Sequence, residues 1–403
     1  VMTTSFLTAL QSRTLVFDGS MGATLQNMPL EVEKDYLGRE NCVDLLVRSR
    51  PEIIQSIHES FLEAGADAVE TDTFGASRHV LSEFDDELPG WTRDLNREAA
   101  EVARRACDAH ATPEKPRFVI GSMGPGTKLV TLGQISWDDM LSSYTEQVRG
   151  LLDGGVDAFM IETCQDLLQV KCAINACLAG LREFDLTPRD VPIMVSVTIE
   201  TTGTMLLGTE ITAALHALAE YPIVSLGLNC ATGPVEMQEH VEAISRHWNR
   251  AIAILPNAGL PVLVDGETHF PLKPNPLAEV MQKFVREHRI NVVGGCCGTG
   301  PDHIRALASI VEECPDRPRP IELPRLEPWG PTPLTAIEEA PFLSEAPPPS
   351  CTSLYSPVEF RQENSFLIVG ERMNASGSRK FKRLLEEENW DEIMSIAREQ
   401  MRE

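Results

Sequence analysis

A chain of 403 residues has room for two or three average domains, or for one large α/β barrel with an appendage. With 42% hydrophobic and 24% charged residues it reads as an ordinary water-soluble globular protein, and a formal charge of −25 excludes the basic surface by which proteins neutralise nucleic-acid phosphates. No apolar run reaches the length of a membrane span, and residues 1–13 lack the basic and apolar regions of a secretory signal, so a cytoplasmic protein with its 10 cysteines reduced is expected.

In chain order, apolar runs ending in Gly, Asp, Glu, Asn or Cys alternate with segments of helical period, the pattern of repeated βα units. The runs are residues 14–18, 68–72, 118–122, 158–162, 193–198, 225–230, 251–257 and 291–296. They are continuously apolar instead of alternating, which predicts strands covered on both faces. Between them, Leu277, Val280, Met281 and Phe284 fall at helical spacing, as do Ile304, Leu307, Ala308 and Val311. Such stripes are packing faces, and Pro276, Pro301 and Asp302 lie at or near helix starts. Eight such units by residue 314 predict an α/β fold, a (β/α)8 TIM barrel over residues 1–314. An open doubly wound sheet is the runner-up. The Gly-rich stretch at 121–126 carries neither a dinucleotide fingerprint nor a P-loop.

Prolines then crowd the sequence from Pro315 to Pro349, which reads as an interdomain linker over residues 315–360. A new unit over residues 361–403 opens with a strand at 366–370 and helices at 378–388 and 391–402. Too small to enclose a core, it is expected to dock on the barrel or to be the beginning of a second, truncated α/β barrel.

The chemistry concentrates in Gly294-Gly-Cys-Cys-Gly298, where a strand runs into two adjacent thiols. Flanking glycines permit a tight turn on which both thiols can address one atom. Zinc (Zn2+) favours thiolates in tetrahedral geometry, with three protein ligands and an open fourth position at a catalytic site. Cys230 ends another apolar run, and in a parallel barrel the strand ends converge on one face, so Cys230, Cys296 and Cys297 form the expected metal site. The alternative is a strained, redox-active disulfide. Cys42, Cys107, Cys172, Cys177, Cys314 and Cys351 are expected to fill space, while Cys164, at another strand end, is less settled.

Around that site the barrel mouth would gather Asp18, Glu70, Asp72, Glu162, Asn229 and Asn257. The carboxylates suit an ammonium group, and the backbone N–H groups from Gly19 through Ser20, Met21 and Gly22 to Ala23 suit a carboxylate. Three cysteinates on zinc leave the site with a formal charge of about −1, which keeps a fourth, substrate thiolate rich in electrons. Thiolate alkylation fits this ligand set better than hydrolysis.

Together Asp18-Gly-Ser-Met-Gly22, Glu70-Thr-Asp-Thr-Phe74, Glu162-Thr-Cys-Gln-Asp166, Gly227-Leu-Asn-Cys230, Pro256-Asn-Ala-Gly-Leu-Pro261 and the Gly294–Gly298 motif resemble the homocysteine S-methyltransferase family over roughly the first 315 residues. The resemblance implies a zinc barrel that binds homocysteine and activates it for methylation to methionine. Cys230, Cys296 and Cys297 match the zinc ligands, and Asp18, Gly19 and Glu162 match positions that hold the amino-acid end of homocysteine. The stretch Val369-Gly-Glu-Arg-Met-Asn-Ala-Ser-Gly-Ser-Arg-Lys-Phe381 resembles the start of the methyltetrahydrofolate-binding domain of the cobalamin-dependent methionine synthases, with Asn374 at a pterin-site position. This implies methylcobalamin as donor, regenerated from 5-methyltetrahydrofolate and carried by a module outside this chain. The rivals are a stand-alone enzyme using betaine or S-methylmethionine, and a non-catalytic zinc or thiol-sensing module. Ala23 and Asp72 depart from the family pattern, which has threonine and asparagine there.

Overall fold

The computed structural model of the chain describes residues 5–26, 28–264, 266–314, 318–323, 348–363 and 373–402. It forms two compact units, one of residues 1–347 with 352–357, the other of residues 348–351 with 358–403.

The first unit is a barrel of eight parallel strands: β1 (Leu15–Val16), β2 (Ala68–Glu70), β3 (Phe118–Met123), β4 (Ala158–Cys164), β5 (Ile193–Val197), β6 (Ser225–Asn229), β7 (Ala251–Leu255) and, after a hairpin of β8 (Val262–Val264) and β9 (Glu267–His269), β10 (Val292–Val293). All eight expected runs are strands, each followed by a helix. The order β1-β10-β7-β6-β5-β4-β3-β2 is closed by a parallel bridge from Phe17 to Ala68. Asp67 reinforces that seam, since its N–H donates to Val16 O at 2.6 Å and its carboxylate accepts from Val16 N at 2.9 Å. Arg13 clamps the same carboxylate with two bonds of 2.8 Å.

Parallel strands buried on both faces divide the core in two. Inside the barrel, Leu15, Phe17, Phe118, Ile120, Met160, Met194 and Val292 fill the lumen. The helix Phe6–Ser12 plugs its amino-terminal end, with Phe6 edge-on to Phe118 at 5.5 Å. Outside, helix faces seal the sheet: Leu277, Met281 and Phe284 are buried, and so are Ile304, Leu307 and Ala308, as their spacing predicts. The lumen is a packed core, so the site must lie at the strand ends.

Two expectations change. Residues 318–323, read as linker, lie against the barrel: Arg319 is buried, its N–H donates to Arg289 O at 2.9 Å, and Ile321 and Leu323 join the interior cluster. Proline supplies no N–H, and the non-proline residues between are free to make these bonds. Cys351, expected to fill space, is exposed, whereas Cys42, Cys107, Cys172, Cys177 and Cys314 are buried.

The second unit contains helices Arg379–Glu386 and Trp390–Arg402, joined through Phe381, Leu384, Ile393 and Ile396. Ser378 caps the first by accepting from Phe381 N at 3.1 Å. The expected strand at 366–370 lies outside the described residues.

Candidate metal centre and substrate pocket

Cys230 immediately follows β6, and Cys296 and Cys297 follow β10 by a short turn. Barrel closure brings their three Sγ atoms within 4.8 Å of one another, with Cys230 and Cys297 at 3.7 Å. This is too long for a disulfide and suits three sulfurs around one ion. All ten cysteines are free thiols.

Each thiol is aimed by its backbone. Cys230 and Ala231 adopt left-handed φ of 55° and 59°, turning the chain sharply at the end of β6. Cys296 N donates to Pro256 O at 2.8 Å, and Cys297 N donates to Asn257 Oδ1 at 3.1 Å. Gly298 has φ 78°, and a Cβ there would lie 2.3 Å from Phe270; one on Gly295 would lie 2.3 Å from Thr299. The glycines therefore answer two needs, a left-handed turn and close approach of the Thr299 side chain.

By themselves the three thiols share charge unequally. Hydrogen bonds from Cys296 and Cys297 pull the Cys230 thiol far down, making it the thiolate, while bonding to Cys230 pushes the other two upward. A thiolate beside two thiols that a metal would deprotonate on binding fits a thiophilic cation. Asn229 supports the cluster: its Nδ2 lies 3.9 Å from Cys296 Sγ and donates to Thr163 Oγ1 at 2.7 Å, while its Oδ1 accepts from Thr163 N at 2.9 Å.

Asp18, Glu70 and Glu162 form the acidic side of the mouth. Asp18 is buried, its Oδ2 accepts from Glu70 N at 3.1 Å, and its Oδ1 has no partner; Glu70 Oε1 is likewise buried and unpartnered. Glu162 accepts from Ser122 Oγ. Burial, with Glu162 nearby, raises Asp18 and Glu70 well above the usual carboxylate range, and burial, opposed by the Ser122 bond and aided by the Cys230 charge, takes Glu162 to about 7. Such a cluster is short of a cation.

The loop of Gly19, Ser20, Met21 and Gly22 is stitched to the cysteine turn, with Ser20 N donating to Thr299 O at 3.0 Å and Gly295 N donating to Asp18 O at 3.1 Å. Ala23 N donates to Ser20 Oγ at 3.1 Å, capping the helix Met21–Leu25. Two of the five N–H donors expected for a substrate carboxylate are thus engaged within the protein. Asp72 is buried with Oδ2 unpartnered, and burial followed by Asp44 raises its carboxyl. Cys164 is buried, its thiol against Glu162 O at 3.4 Å, and packs without joining the sulfur cluster. Asn374 is exposed in the second unit, where its Oδ1 accepts from Ser376 N at 2.9 Å and shapes a turn. Sequence reasoning missed Thr163, Ser122 and Thr299. The first two stand at the carboxyl ends of strands and the third directly after the cysteine motif, so position was the one available signal.

A model of the family described as homocysteine S-methyltransferase matches residues 15–311. The chain belongs to the homocysteine S-methyltransferase family. It is 43% identical to methionine synthase of Mycobacterium leprae and 42% identical to that of Mycobacterium tuberculosis, in each case over 99% of this chain and 31% of the relative. The chain thus spans about a third of the length of these relatives. Among solved structures, the homocysteine methyltransferase MmuM from Escherichia coli superposes in its metallated form with a TM-score of 0.57 and 21% identity, covering 74% of this chain and 96% of that one. Its oxidized form gives 0.56 and 21%, covering 73% and 95%. These last two likenesses speak to the barrel fold that the family shares.

Proposed function

We propose that this chain is the homocysteine-activating part of a longer methionine synthase. The observation that carries the reading is the three-sulfur cluster at the barrel mouth, bordered by buried carboxylates that lack a cation. Cys230, Cys296 and Cys297 would hold Zn2+, and zinc bound there supplies a Lewis-acidic centre that keeps a substrate thiol deprotonated at neutral pH. Asp18, Glu70 and Glu162 receive the substrate ammonium, which returns them to the charged form and releases protons. Gly19, Met21 and Gly22 retain N–H groups for the substrate carboxylate. Asn229, locked by Thr163, orients the Cys296 sulfur.

In the transfer, a sulfur–carbon bond forms as the methyl–donor bond breaks, and the bonding pair leaves with the donor. We assign the donor as methylcobalamin on another module of the full-length enzyme. Exposed Phe74, Leu132, Leu206 and Val235 on loops, and Leu263 on the β8–β9 hairpin, stand on segments that leave the carboxyl ends of five strands, an apolar rim suited to a large donor or its module. Residues 315–360, apart from 318–323 packed on the barrel, would serve as the interdomain linker and 361–403 as the start of the methyltetrahydrofolate-binding domain, with Asn374 at its pterin site. No helix among the described residues is long and apolar enough to cross a membrane. Zinc–thiolate chemistry requires reduced cysteines and accords with a cytoplasmic location.

The test is zinc content with X-ray absorption at the zinc edge, with and without homocysteine. Three sulfur neighbours rising to four support the reading, and an unchanged shell overturns it. Single turnovers with methylcobalamin, S-methylmethionine and betaine then identify the donor.

A further inference from the structure

At the amino-terminal end of the barrel, Arg319 is a buried cation without a counter-ion. Its side chain belongs to a residue only 4% exposed. Nη2 donates to Ser245 O at 2.9 Å and Trp248 O at 2.7 Å, while Nη1 is buried with no partner. Among the described residues no carboxylate forms an ion pair with it, and the charged group acting on it is a second cation, Arg289. Leaving a guanidinium dehydrated and half-satisfied is costly unless an anion completes it.

Beside it lies a cavity of about 70 Å3, lined by Ser245, Glu287, His288, Arg289 and Arg319. A single water needs roughly 10–15 Å3, so a group of several atoms fits. The wall is built by a π-helical turn, Phe284–His288, that ends at Arg289 in a left-handed conformation with φ 51°. Such turns place consecutive side chains where a regular helix would not and recur at functional sites. Ser245 Oγ gives its proton to Glu242 O at 2.9 Å, so it accepts from His288 Nδ1 at 3.0 Å, which leaves Nε2 of the neutral ring as an acceptor for an O–H of the ligand. Glu287 is the one acid among the lining residues, and it is exposed.

We propose that this cavity is a binding site for a small oxyanion of the phosphate class that keeps one P–OH, its charged oxygen on Arg319 with Arg289 alongside and its hydroxyl donating to His288 Nε2. Trp248 precedes β7 and Arg289 precedes β10, so the site sits at the amino ends of the strands, opposite the cysteines at their carboxyl ends. With Nη2 fixed on two carbonyls, the guanidinium is held in place and Nη1, buried and unpartnered, is left to donate to such an anion. The ligand is either free phosphate or the phosphate of a monoester.

The experiment is the melting temperature of the zinc-loaded full chain as inorganic phosphate is raised at constant ionic strength against chloride, with phenyl phosphate as a second arm. A saturable rise is expected, with apparent affinity about 10-fold or more weaker in Arg319→Gln, following the charge-assisted bond removed, and several-fold weaker in His288→Ala, following loss of the acceptor for the ligand hydroxyl. Zinc content and helical circular dichroism should not change. Saturation by phosphate alone assigns an enclosed ion, and saturation by both assigns a monoester; either supports the site. No rise beyond chloride, or an equal rise in wild type and His288→Ala, overturns it. His288→Ala leaves the Arg319 bonds to the backbone intact and decides the matter if Arg319→Gln does not fold.

Discussion

Replacing Glu162 by Gln isolates the electrostatic idea on which the substrate pocket rests. Gln keeps the acceptor for Ser122 Oγ and nearly the same volume, and removes only the ionisation. Burial is the largest influence on Glu162, which is raised from 4.5 to about 7. At about 1.4 kcal/mol per pH unit this corresponds to about 3 kcal/mol, an upper figure because Asp18 and Glu70 redistribute their protons when one member is removed. A raised carboxyl stabilises the fold fully below its unfolded value, and that contribution is lost as pH rises through about 7. Wild-type stability should therefore decline between pH 5 and pH 8 by about 2–3 kcal/mol more than that of Glu162→Gln. Urea unfolding of both proteins at the two pH values, followed by far-ultraviolet circular dichroism, measures the difference. Effects common to both, such as metal loss in acid, cancel. Equal pH dependence in the two proteins would refute the assignment of Glu162 as a buried, destabilised carboxylate. Calorimetry of homocysteine binding near pH 6, in buffers of different ionisation enthalpy, should show greater proton release by wild type than by the variant.

Cys296→Ser should abolish zinc retention while preserving helical circular dichroism, because eight strands and both apolar layers hold the barrel without the metal; loss of helical signal alongside the zinc would contradict this. Gly298→Ala, with φ 78° and a clash against Phe270, should cost about 1–3 kcal/mol in backbone strain and weaken zinc retention, as thermal melting and metal analysis would register. Asn229→Ala breaks both bonds to Thr163, leaving a half-buried donor unpaired at about 1 kcal/mol, and should slow methyl transfer more than it weakens zinc; unchanged turnover would remove Asn229 from the site.

The strands and the cysteine motif were legible because their causes are local. A continuously apolar run such as 193–198 needs cover on both faces wherever it lies, and Gly294-Gly-Cys-Cys-Gly298 states its own turn. The amphipathic stripes on the helices likewise announce which face is buried, and Leu277, Met281 and Phe284 follow them. The joining of Cys230 to that turn needed the further premise of a closed barrel, since nothing between residues 230 and 296 fixes their distance. The Thr163 lock on Asn229 bridges 66 positions and the Ser122 bond to Glu162 bridges 40, so neither leaves a local pattern. The same holds for Arg319. In sequence it is one arginine among prolines; packed beneath the strands against Trp248 and Ser245, it is a buried cation lacking an anion. Sequence fixes what each segment must bury and which turns it can make. Barrel closure decides which polar groups then meet, because desolvation and pairing depend on neighbours that the chain brings together only on folding.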